Sequence, residues 1–130
     1  MPTQGNMIDR NVFGEPLVPC SFDPLTGFMR DGCCRAEETD LGAHLVCTVV
    51  TEDFLAFSVS RGNDLVTPRP AWQFAGLQAG DQWCLCLSRW LEALAEGCAP
   101  MVVLESTHQG VLDHVSLEVL KRFETRPRGG

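Results

Sequence analysis

With 130 residues, 45% of them hydrophobic and 21% charged, the chain has the size and apolar content of one folded domain, which excludes a globally disordered polymer. Its formal charge of −7 is concentrated in residues 1–65, where four Arg face ten Asp and Glu. A surface of that sign repels phosphate, and no strip of Lys and Arg interleaved with aromatics offsets it, so nucleic acid is not an expected partner.

No apolar run approaches the roughly 18 residues of a membrane span. Residues 1–10 lack the hydrophobic stretch of a secretory leader. The expectation is a soluble, cytoplasmic protein with no membrane partner. In a reducing compartment the seven cysteines are expected as thiols, metal ligands or core residues and not as a disulfide framework.

In chain order, residues 1–10 read as a disordered leader, 11–124 as a single globular domain and 125–130 as a frayed tail. Residues 11–42 are dense in breakers, including Gly14, Pro16, Pro19, Gly27 and Gly32, with Asp23-Pro24 and Asp31-Gly32 as turn pairs, and predict irregular backbone. Residues 45–50 are apolar and β-branched and predict a buried strand. Thr51 is placed to cap a helix whose first turn carries Glu52 and Asp53, whose core face is Phe54, Leu55, Ser58 and Val59, and which stops at Gly62. The long connection 63–80 contains Trp72, Phe74 and Leu77, which can pack down or contact another protein.

Residues 81–87 alternate Trp83, Leu85 and Leu87 with Cys84 and Cys86; both faces are apolar, so this strand is expected to be central. Ser88 is placed to cap a helix through Glu96 with Trp90, Leu91, Leu94 and Ala95 inward and Gly97 as its stop. Residues 101–105 predict a third strand reached by a parallel crossover. Two short helices close the chain, one marked by Val111, Leu112 and Val115, the other capped by Ser116 with Leu117, Leu120 and Phe123 inward. The sum is an α+β fold: a small mixed sheet of three or four strands, helices packed on one face as a two-layer sandwich, and the irregular N-terminal segment covering the other.

The chain carries Asp23-Pro24-Leu25-Thr26-Gly27-Phe28, Arg30-Asp31-Gly32, Ser60-Arg61-Gly62-Asn63-Asp64-Leu65, Thr67-Pro68-Arg69-Pro70, Gly80-Asp81, Trp83-Cys84-Leu85-Cys86 and Leu104-Glu105-Ser106-Thr107-His108. In this order they resemble the domain-of-unknown-function family twenty-two thirty-seven, small and mostly bacterial proteins, over residues 11–123. The resemblance implies a compact two-layer arrangement of helices and sheet and brings no established activity with it. This chain departs from the pattern at Ser21, where similar members often have a second cysteine, and at Met29, where tyrosine is common.

Three groups of residues can carry chemistry. Cys33, Cys34, His44, Cys47, Cys84 and Cys86 form a candidate metal set, with zinc the ion suited to sulfur and imidazole. Cys84 and Cys86 are alternate strand positions about 6.6–6.8 Å apart, near the upper limit for a disulfide, but two thiolates on one face can converge on a metal. No Cys-x-x-Cys unit is present, and buried cysteine also serves as a small core hydrophobe. Glu105 and His108 can form a carboxylate-oriented imidazole, acting as general base or as partner of a cysteine nucleophile; the alternative is that Thr107 caps the next helix while His108 lies solvated in its first turn. Arg61, Asn63, Asp64 and Arg69 flank the Pro-rich loop and can hold a carboxylate or phosphate ligand, or simply make the turn after Gly62.

The chain has no phosphate-binding Gly-x-x-x-x-Gly-Lys, no Gly-x-Gly-x-x-Gly after a strand, no Gly-x-Ser-x-Gly and no His-Glu-x-x-His. Three functions remain: a small ligand- or metal-binding module with a Cys/His site, a thiol-dependent enzyme whose cysteine is activated by His44 or His108, and an interaction domain without catalysis. Ligand identity, any cofactor besides zinc, and homo-oligomerisation are left open.

Overall fold

The computed structural model describes residues 9–27, 29–36, 43–72 and 74–125. Apart from Asp9, Arg10 and Thr125, the expected leader and tail lie outside the described residues. Among these residues, three strands and three α-helices form in the order β1 (His44–Val49), α1 (Glu52–Ser60), β2 (Gln82–Cys86), α2 (Leu87–Ala95), β3 (Met101–Val102) and α3 (Leu117–Lys121), with 3-10 turns at Pro70–Trp72, Leu104–Ser106 and Gln109–Asp113. The α+β expectation holds: a three-strand open sheet in the order β2-β1-β3 carries helices on one face. Among the described residues no helix is long and apolar enough to cross a membrane.

β1 is antiparallel to both neighbours. β2 and β3 therefore run the same way, as the strand-helix-strand succession predicts, but β1 lies between them, so the sheet is antiparallel and not the mixed one expected. The expectation that 81–87 is central is corrected: β2 pairs only with β1 among the described residues. Two apolar faces report cover above and below a strand, not a neighbour on each side.

The helix-side core gathers Val46, Val50, Phe54, Leu85, Trp90, Leu104, Val111 and Leu120. Trp90 is fully buried, donates Nε1–H to the Pro100 carbonyl at 3.2 Å and meets Phe123 edge-on at 5.4 Å. Thr51 caps α1 as expected, its Oγ1 accepting from the Phe54 N–H at 3.1 Å. Val59, expected inward, is 42% exposed; the buried stripe comprises Phe54, Leu55 and Ser58. Ser88 does not cap α2. The helix starts two residues earlier, straight from the strand, and the Leu87 N–H that would need a cap donates to the Ala43 carbonyl at 3.0 Å. Leu91 and Leu94 are half-buried, and Ala95 is exposed where a buried residue was expected. β3 is shorter than the expected 101–105 because the chain turns at Leu104–Ser106 after the Val103 N–H donates to the Cys47 carbonyl at 2.8 Å. Ser116 caps α3 through the Val119 N–H at 3.2 Å.

Candidate functional site

Residues 20–27 and 29–34 lie across the sheet face opposite the helices. Cys47 and Cys84 stand directly opposite each other in the β1–β2 ladder. Each is bonded to a cysteine of the covering segment: Cys20 to Cys47, with Cα atoms 5.7 Å apart, and Cys34 to Cys84, with Cα atoms 5.3 Å apart. All four are at most 5% exposed, and with Val103 they form a second, sulfur-rich core. The sulfurs of Cys20, Cys34 and Cys47 all lie within 4.8 Å of one another.

The polar frame of this cluster is closed by side chains. Thr26 Oγ1 accepts from the Cys84 N–H at 2.9 Å, and Gln82 Nε2 donates to the Cys20 carbonyl at 2.6 Å. Thr107 Oγ1 accepts from the Cys47 N–H at 3.1 Å and donates to the Val103 carbonyl at 2.9 Å. Within the covering segment the Gly32 carbonyl accepts from the Cys20 N–H at 2.6 Å and the Ser21 N–H at 3.1 Å. Gly32 has φ +88°, a conformation strained for a residue with a side chain, and a Cβ there would push against the Phe22 ring, so glycine favours this closure.

Two expectations change here. The seven cysteines are not uniformly thiols: four form two disulfides, while Cys33, Cys86 and Cys98 are free. Of the six residues considered as metal ligands, the structure brings together Cys34, Cys47 and Cys84, adds Cys20, and leaves Cys33, His44 and Cys86 out of the sulfur cluster. Cys86 leaves the row of Cys84 because the ladder is irregular between His44 and Val46 and because Cys86 is already the N-cap residue of α2. It pairs instead with His44, Sγ to Nε2 at 3.2 Å, both half-buried. Cys33 is half-buried with its thiol pushed up, first by burial and then by the Asp31 carboxylate. Burial also raises the Cys98 thiol, after α2.

Cys20 was not nominated from sequence. The signal that could have found it is indirect: a breaker-rich segment covering an apolar sheet face must turn its few apolar residues inward, and Cys20 is one of these.

His108 is buried, and its imidazole is fixed by two partners: Nδ1 accepts from the Gly110 N–H at 2.9 Å, and Nε2 lies 2.9 Å from Asp9 Oδ1. The carboxylate beside the ring is thus that of Asp9. Glu105 is exposed, and its contribution is its carbonyl, which accepts from Asn11 Nδ2 at 3.1 Å and the Val18 N–H at 3.1 Å. The expected solvated histidine inside a Thr107-capped turn is also corrected, because His108 is itself the cap of the Gln109–Asp113 turn.

Asn63, Asp64 and Arg69 line one cleft of about 330 Å³ with Arg30, Phe74 and Trp83. Asp64 Oδ1 accepts from the Val66 N–H at 3.0 Å and the Thr67 N–H at 3.1 Å; a bond from the Thr67 side chain first, and then these two, hold its carboxyl below the usual range. Its Oδ2 is 3.9 Å from Arg69 Nη2. Arg61 points elsewhere, to Glu92 at 3.4 Å and Glu96 at 3.8 Å, with its guanidinium 4.7 Å over the Phe57 ring. Of the loop residues considered for partner contact, Leu77 is buried and Phe74 packs on Trp83 at 5.4 Å, so both are engaged internally; the Trp72 side chain lies outside the description.

A family described as an uncharacterized protein conserved in bacteria (DUF2237) matches residues 10–124, nearly the whole chain. The chain belongs to the DUF2237 family. None of the curated proteins matches it. In this DUF2237 member the matched span contains every cysteine, the Cys86–His44 pair and the arginine-lined cleft.

Proposed function

We propose that this domain is a metal-binding module gated by thiol oxidation, in which Cys20, Cys34, Cys47 and Cys84 are two disulfides when oxidised and a four-thiolate zinc site when reduced. The observation that carries this reading is the packing of three buried sulfurs within 4.8 Å of one another, with the fourth bonded to one of them. Around zinc, four sulfurs each about 2.3 Å from the ion stand roughly 3.8 Å apart; Cys20, Cys34 and Cys47 are already near that spacing, and Cys84 joins them once the S–S bonds open.

The chemistry balances with a dithiol as reductant. Each protein disulfide takes two electrons and two protons while the dithiol becomes a disulfide. The four thiols then lose their protons as Zn²⁺ binds. A cleft of about 430 Å³, lined by Pro19, Cys20, Ser21, Asp81 and Gln82 among others, lies beside Cys20, the less buried partner of the Cys20–Cys47 bond.

Elemental analysis and native mass spectrometry after anaerobic reduction test this. The expected result is one zinc per chain, lost on reoxidation, abolished by Cys20→Ser with Cys84→Ser and kept by Cys33→Ser. Reduced, folded protein that takes up no zinc, or that loses zinc equally with Cys33→Ser, defeats the proposal.

The 3.2 Å contact between Cys86 and His44 supports a second function, a thiol-dependent enzyme in which the imidazole takes the Cys86 proton and leaves a nucleophilic thiolate. Iodoacetamide labelling at about pH 6 checks it: Cys86 should react faster than a free thiol and slow to that rate in His44→Ala. Equal rates in the two proteins would remove this function.

A further inference from the structure

The chain presents a second site, separate from the sulfur cluster, where Arg30 of the covering segment meets the loop after α1. We infer that the cleft between Arg30, Asn63, Arg69, Phe74 and Trp83 binds a small planar aromatic anion, a ring bearing a carboxylate or phosphate. Its volume of about 330 Å³ falls at the small end of ligand sites, which combine apolar walls with a few convergent polar groups.

The charge arrangement selects the ligand. Two guanidiniums and one carboxylate line the cleft of a chain whose net charge is −7. Asp64 is already committed, to two backbone N–H groups of its own turn and to Arg69. Its role is to shape the loop and hold Arg69 at the cleft. The Arg30 guanidinium, by contrast, has no hydrogen-bond or ion-pair partner among the described residues. Unpaired guanidinium beside a structured loop is the group that recognises carboxylate and phosphate oxygens.

The backbone of Arg30 carries a second observation. Its φ is +56°, the left-handed region that favours glycine, and its N–H donates to the Gly27 carbonyl at 2.9 Å. An arginine held in such a conformation, facing a cleft, is the kind of outlier that accumulates at ligand clamps. The opposite requirement, a flat apolar surface, is met by Phe74 and Trp83, which both line the cleft with their rings 5.4 Å apart at 54°. A planar ring with an acidic substituent satisfies both walls at once.

Titration of the whole protein in its oxidised form, followed by ¹H–¹⁵N spectra and calorimetry, tests the inference independently of any metal. The probes are salicylate for the carboxylate, adenosine 5′-monophosphate for the phosphate, their neutral counterparts benzamide and adenosine, and inorganic phosphate. At least one of the two aromatic anions should shift the Trp83 indole signal with Kd at or below about 1 mM, and its neutral counterpart should bind at least about tenfold more weakly. Arg30→Gln should weaken that anion by about tenfold or more, while Arg61→Gln, held by Glu92 and Glu96 outside the cleft, should leave it unchanged. Failure of both anions to perturb Trp83, equal binding of the neutral compounds, or an Arg30→Gln protein that binds as tightly as wild type overturns it. Inorganic phosphate binding as well as the aromatic anions would refute the role of the ring wall.

Discussion

Cys33 and Cys34 are neighbours in sequence with opposite chemical fates. Cys34 is fully buried and bonded to Cys84, while the Cys33 side chain stays half-buried and free. Burial is the largest influence on the Cys33 thiol, and Asp31 reinforces it, against a counter-pull from Arg35 and with a small push from Asp9. Its folded pKa therefore lies above the ordinary thiol value. Folding holds this proton more tightly than the unfolded chain does, so the associated stability is present below the ordinary thiol range and is lost as pH rises through the raised value. The rate of Cys33 alkylation should accordingly rise at higher pH than that of a free cysteine peptide. Asp31→Asn should bring the inflection part of the way back, since the amide can still accept the Cys33 N–H that Asp31 Oδ1 now accepts at 3.1 Å. An inflection at or below that of the peptide would contradict the burial of this thiol. The doublet itself is plain in the sequence; which member points inward is not, because that depends on the turn at Gly32.

At the scale of elements, the readable features were those written in local chemistry. Thr51 and Ser116 are caps in sequence and in structure because a polar oxygen answers an orphan N–H within three residues. Ser88 has the same composition and no such role, since Ala43, far away in sequence, already satisfies the Leu87 N–H. The short third strand and the edge position of β2 fail for the same reason: partners from elsewhere in the chain decide them. Thr26 illustrates the point on the site side. Its hydroxyl, fully buried, accepts the Cys84 N–H, a ladder group that no strand answers. Thr26→Val keeps the shape and strands that donor, so it should destabilise the oxidised protein by about 1–3 kcal/mol in urea unfolding. The same substitution at exposed Thr67 should cost far less. Equal midpoints for Thr26→Val and wild type would show that water replaces the hydroxyl and that the segment is not sealed.

For the molecule as a whole, a sequence pattern could place an irregular segment on a two-faced apolar sheet, but it could not say which sulfurs would meet. Cys84 and Cys86 fall at alternate positions of one strand in the sequence, yet one joins the buried cluster and the other turns away to His44. The cluster now ties three distant regions together, through cross-links spanning 27 and 50 residues. Loop-closure entropy assigns such links about 3.5 and about 4 kcal/mol, with the joint effect smaller because the two loops overlap. Reduction should therefore lower the urea midpoint substantially, releasing the segment that carries Cys20 and Cys34 first, since its described residues form no helix or strand. Adding zinc to reduced wild type should recover stability in proportion to the logarithm of free metal, as any ligand that binds only the folded state must. Cys20→Ala with Cys47→Ala should lose stability on its own and recover none with zinc, because two of the four sulfurs are gone. The contrast separates the two roles of the cluster. Zinc-dependent recovery confined to the four-cysteine protein makes the centre a metal site under reducing conditions; stability lost on reduction and never restored by zinc would leave the disulfides as cross-links and nothing more.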